Sequence, residues 1–266
     1  MTAYELMIKA NHYLIKGGEL TAAHKENITT QLLAAKSTPQ QAQRRFTKLK
    51  GGERDMYPFL YVLPYNGGIK LNTIFDQEPQ TQILSMNMYE LEIIRLLSVF
   101  NPDDPEIQDM VKQVLGRLKK TCFGNRGCGT GECYDAGLIT LRFLSSTAPE
   151  EKLWITDQIN CYNNHIAEKK RSKYYGRQYA RYYMWYYWLC LSELPIELAK
   201  PEILRHKEEL FSSAHESMLV NSEKDQVFNT VRLSALRNCL SRLSEYEYLQ
   251  EYQPYVSEYD GRLHLI

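Results

Sequence analysis

Two stretches of the chain gather side chains able to do chemistry. The first is Thr121 to Asp135 (TCFGNRGCGTGECYD), where Cys122, Cys128 and Cys133, half of the chain's six cysteines, stand among closely spaced glycines. A thiolate is both a nucleophile and a metal ligand, and a thiol in the first turn of a helix ionises more readily because the helix dipole favours negative charge there. Cys133 falls at such a position, with Glu132 and Asp135 beside it opposing the effect by like charge. The same two carboxylates are the first candidates for acid–base work, so Glu132, Asp135 and Cys133 form the catalytic set that the sequence suggests. N-terminal capping explains Asp135 equally well.

A metal reading of this loop is the weaker one. Its spacing, C-x5-C-x4-C, contains no short cysteine knuckle of the kind zinc sites use, and a zinc set of Cys122, Cys128 and Cys133 needs a distant fourth ligand such as His165. Small thiols packed in a tight loop account for the cysteines more simply, and a redox switch among them ranks lower still. No cofactor is expected. The glycines match neither a P-loop nor a dinucleotide fingerprint; they point to positive φ or to close backbone approach.

The second stretch is EKKRSKYYGRQYARYYMWYYWLC, in which Trp185 and Trp188 join seven tyrosines from Tyr174 to Tyr187. Rings on every face suit a central helix, with phenolic groups turned to partners or to a wet cavity. Arg177 and Arg181 lie four apart, interleaved with Tyr175 and Tyr179. Guanidinium beside aromatic rings at a helix start suits a carboxylate, a phosphate or a sugar-bearing anion, and these four residues are the expected ligand-binding set. The competing reading is a filled core whose hydroxyls bond backbone and arginine. The six histidines are scattered without HxxxH or HExxH spacing, and no G-x-S-x-G is present.

These stretches must be held by helices, because the chain repeats a helix–break–helix pattern from near Tyr89, Tyr134, Gln178 and Asn229, at intervals of 45, 44 and 51 residues. The clearest outer helix is Pro105 to Lys119, with Ile107, Met110, Val111, Val114, Leu115 and Leu118 on one face and Asp104 as cap. The inner helix before it, Tyr89 to Phe100, is apolar on more than one side. In the next hairpin, Thr147 to Glu150 reads as a capping box for an outer helix bearing Ile155, Ile159, Tyr162 and Ile166. The third pairs the tyrosine-rich helix with Pro201 to Ser217, and the fourth runs from Phe228 into a weaker element at Tyr246 to Tyr252. N-terminally, Tyr4 to Ile15 and Ala22 to Ala35 form another pair, followed by a helix at Gln40 to Lys48 capped by Thr38. β-hairpins are expected near 57–75, around Asn66-Gly67-Gly68, and at 255–266, around Asp260-Gly261.

The fold class is therefore all-α: about five helical hairpins, arranged as a closed ring or an open superhelix, with small β appendages. One domain is expected over 1–266, made of the N-terminal hairpin and short helix (1–50), the 57–75 insertion, the repeating hairpins (81–252) and the C-terminal hairpin. From Tyr89 to Tyr252 the arrangement resembles the α/α toroids, the fold of many glycoside hydrolases and lyases, terpenoid cyclases, protein prenyltransferases and lanthionine-forming cyclases. That resemblance is one of architecture, and neither the cyclases' DxDD nor the lanthionine cyclases' Cys-His pair accompanies it.

Composition narrows the function classes. Thirty-two basic residues balance 32 acidic ones, which disfavours a dedicated nucleic-acid binder. No signal-peptide pattern or long apolar window suggests a membrane, so a cytoplasmic protein with reduced thiols is expected. The leading expectation is a central cavity that takes a small anionic or sugar-like ligand, a glycosidase- or lyase-type enzyme being one form of it. The alternative is a non-catalytic repeat protein that holds a peptide or partner protein on a concave aromatic face.

Overall fold

The computed structural model describes residues 1–41, 59–61, 71–79, 82–125, 131–171 and 177–265, the side chains of 82–83, 131–134, 165, 167–171 and 177–183 excepted. The described chain is mostly helical. It falls into two compact units, the first of residues 1–11 and 20–174, the second of 12–19 and 175–266.

The first unit contains most of α1 (Ala3–Ile15), then α2 (Ala22–Ala34), α3 (Gln82–Phe100), α4 (Pro105–Leu118), α5 (Gly131–Thr147) and α6 (Lys152–Arg171). Sequence dictates α4 directly. Asp104 accepts from the backbone N–H of Glu106 and Ile107 at 2.8 and 3.1 Å, and Pro105 opens the first turn where its missing N–H is harmless. Its apolar stripe is buried as the periodicity predicts, except for Leu115, which is half-buried. In α3 every residue from Leu84 to Leu97 is buried, and this helix packs on α2, α4 and α5.

Burial on all sides brings charge inside. Glu92 and Arg95 of α3 meet Arg142 of α5 and Asn11 of α1, none of them more than 5% exposed. Arg142 Nη1 donates to both Glu92 oxygens at 2.9 and 2.7 Å and to Asn11 Oδ1 at 3.0 Å, and Arg95 reaches the same Asn11 oxygen at 2.5 Å. A second buried pair, Glu90 with Arg117 at 2.5 Å, clips residues 59–61 to α3. The carboxylate accepts from the Leu60 and Tyr61 N–H groups while the guanidinium lies 3.9 Å over the Phe59 ring.

The turn after α4 shows why one of the loop glycines is required. Thr121 Oγ1 donates to Leu118 O at 2.8 Å and accepts from Gly124 N at 3.0 Å, folding the backbone so tightly that a Cβ on residue 124 would lie 2.0 Å from Leu118 O. The Gly124 carbonyl then accepts from Trp154 Nε1 and Gln158 Nε2 of α6. Close approach, as the glycine spacing predicts, is the reason.

The second unit contains α7 (Arg177–Glu193), α8 (Ile196–Arg205), α9 (Lys207–Ala214), β1 (Met218–Leu219), α10 (Glu223–Leu240), a 3-10 helix (Ser244–Glu251), β2 (Tyr255–Val256) and β3 (Arg262–His264). Helices α7 and α10 form its centre. Arg242 donates to the carbonyls of Leu191 and Leu194 at 2.6 Å each, satisfying acceptors that the end of α7 would otherwise leave open. The C-terminal hairpin forms around Gly261, whose φ of +64° suits glycine, and a strand unforeseen in the sequence joins it: the antiparallel order is β1-β3-β2.

Three local expectations need correction. Thr147 ends α5 with its hydroxyl bonded back to Phe143 O at 2.8 Å, and α6 begins only at Lys152, so Thr147 caps nothing. The third outer stretch is two helices, broken at His206, with Pro201 inside the first. The fourth hairpin's inner helix starts at Glu223, because Ser222 accepts from Asp225 N and forms the cap. Thr38 does cap a helical turn from Pro39, exchanging bonds with Gln41, while the remainder of that helix and the Asn66-Gly67-Gly68 turn lie outside the described residues.

Candidate ligand cavity

A cavity of about 600 Å³ opens within the second unit. Its floor comes from α7, where Met184, Trp185 and Trp188 share one face by their spacing. The two indoles stand edge to face, ring centres 5.0 Å apart. The walls are polar: Glu209, Ser212 and Ser213 from α9, Glu216 and Ser217 from the turn that follows, Asn229 and Arg232 from α10, and Arg262 from β3.

The cations are already oriented. Arg262 Nη1 donates to Ser217 Oγ at 2.9 Å, Arg232 Nη1 to Asn229 Oδ1 at 2.8 Å, and Asn229 Nδ2 to Leu219 O at 3.0 Å, so strand, turn and helix hold both guanidinium groups. Two carboxylates and two guanidinium groups line the same space. Such a wall offers acceptors as well as donors, which suits a ligand rich in hydroxyls or one with a single anionic group.

Trp188 is the unusual member. It is 3% exposed, and its indole N–H is buried without an acceptor in the protein. An unpartnered buried donor costs about 1–3 kcal/mol, and buried polar groups nearly always find a partner in protein, water or ligand.

Of the residues singled out in the sequence, Asp135 is buried in the second turn of α5 and Cys122 is half-buried in the turn after α4, both in the first unit. Glu132, Cys133, His165, Arg177, Tyr179 and Arg181 lie on helices at positions whose side chains are outside the described set, and Cys128 and Tyr175 are outside the described residues altogether. Among the described residues, no three His, Cys, Asp or Glu side chains converge as a metal site requires. No described helix is long and apolar enough to cross a membrane.

Glu209, Asn229, Arg232 and Arg262 form no motif in the sequence, because they come from three segments of ordinary polar composition that only the fold brings to Trp188. No family model, curated protein or solved structure matches the chain.

Proposed function

We propose that the second unit binds a small anionic or sugar-like ligand in this cavity, within a hairpin array of the α/α-toroid type. The buried, unpartnered indole N–H of Trp188 carries the reading, since a ligand oxygen would complete it. Trp185 and Trp188 offer apolar faces to the C–H side of a sugar ring, and Arg232 and Arg262 supply paired donors for a carboxylate or vicinal hydroxyls. Arg177, Arg181 and Tyr179, expected from the sequence to bind such a ligand with Tyr175, are positions of the same helix, α7, that carries the two tryptophans. Glycosidase- or lyase-type chemistry here would fall to Glu209 and Glu216; Glu132, Cys133 and Asp135 belong to the first unit.

The chain has three tryptophans, so a Trp154→Phe background leaves emission to the cavity pair. Titration with glucose and with glucuronate is expected to change that emission saturably, glucuronate more strongly, and Trp188→Phe is expected to abolish the response. Emission that ignores both sugars would overturn the proposal.

A further inference from the structure

The charges that line the cavity are sorted to its two ends. Glu209, Ser212, Ser213 and Glu216 follow one another at i, i+3, i+4 and i+7, so one face of α9 and the turn after it forms a single wall. Seven positions of helix advance about 10 Å, which puts Glu209 at one end of that wall and Glu216 at the other.

Both guanidinium groups are tethered at the second end. Arg262 donates to Ser217 Oγ at 2.9 Å and stands opposite Leu219 in the β1–β3 register, while Arg232 donates to Asn229, whose amide donates to the Leu219 carbonyl. Among the described residues, no carboxylate pairs with the Arg262 side chain. Of the described lining residues, that end therefore carries two guanidinium groups and the carboxylate of Glu216, and the other end carries the carboxylate of Glu209. The Glu209 side chain is 41% exposed, and His206 Nδ1 stands 3.6 Å from its Oε2, too far for a hydrogen bond.

A ligand that is only anionic matches one end of such a cavity. Complementary potentials fix a ligand's orientation and like charges set side by side are costly, so a site with opposite charges at its ends selects a ligand with opposite charges at its own. The tryptophan floor suits a sugar ring as the spacer between them. We infer that the cavity takes an amino-uronic acid, a sugar with a carboxylate on one side of the ring and an ammonium on the other, the carboxylate lying toward Arg262 and the ammonium toward Glu209. The inference rests on the cavity reading above and adds the second charge to it.

The test is titration of the Trp154→Phe protein with glucuronate, glucosamine and glucosaminuronate, read by tryptophan emission. Glucosaminuronate is expected to bind about tenfold more tightly than glucuronate, the scale of one added charged hydrogen bond. In Glu209→Gln the two acids should bind alike, and in Arg262→Ala both should weaken until glucosamine rivals them. Glucosaminuronate binding no more tightly than glucuronate, while glucuronate still binds, would overturn the inference and leave the cavity reading intact. A preference that survives Glu209→Gln would overturn it as well, and emission unmoved by all three sugars would overturn the cavity reading together with it.

Discussion

The arginines of the two units are put to opposite uses. In the first, Arg142 is 1% exposed and its Nη1 donates to Glu92 and Asn11, so that α1, α3 and α5 are joined by a buried polar knot. In the second, Arg232 and Arg262 are half-buried, are hydrogen-bonded to Asn229 and Ser217, and line a cavity of about 600 Å³. Charge that is saturated and sealed specifies a fold; charge that is oriented and left accessible can recognise something.

Removal of a charge should therefore have unequal effects in the two regions. Arg142→Ala leaves the buried Glu92 carboxylate without its main partner and is expected to destabilise the protein by about 3–5 kcal/mol, read as a large drop in the urea midpoint; a loss below 1 kcal/mol would mean that the knot is not sealed. Glu90 sharpens the same point through pH. Burial pushes its carboxyl above the ordinary value of 4.5, with Arg117 and the two N–H groups of residues 60–61 pulling only part of the way back. A raised folded-state value means that this group's stabilisation is complete below 4.5 and is lost as pH rises through the folded value. The wild-type midpoint should accordingly fall relative to Glu90→Gln from mildly acidic to neutral pH, and parallel profiles would refute the burial effect. The smallest change in stability is expected for Arg262→Ala, below about 1 kcal/mol, although glucuronate binding should weaken about tenfold for the lost charged hydrogen bonds. A collapse in stability there would make Arg262 structural instead.

Helices were legible where a local rule sufficed. The stripe and cap of α4 follow from residues within one turn of each other, as do the ends of α1 and α2 and the Asp260-Gly261 turn. Where two local rules compete, composition alone does not decide: Thr147 has the composition of a cap but its hydroxyl is satisfied inside the preceding helix, and Ser222, one residue before an acidic first turn, caps α10 ahead of the apolar run that begins at Val227. Of the cavity, Trp185 and Trp188 stood out by composition, within the tyrosine-rich stretch. Its polar wall did not, because Glu209, Asn229, Arg232 and Arg262 are ordinary surface residues to any window of sequence.

What the sequence by itself determined is the helical character of the chain and the concentration of aromatic rings in α7, since periodicity, caps and turn residues act over a few positions. The tertiary structure alone decided that Glu92 and Arg142, fifty positions apart in the chain, seal each other inside, and that Trp188, Arg232 and Arg262 share a cavity. Such pairings depend on which faces pack together. That choice is made by the burial of the whole apolar surface, which no short segment encodes.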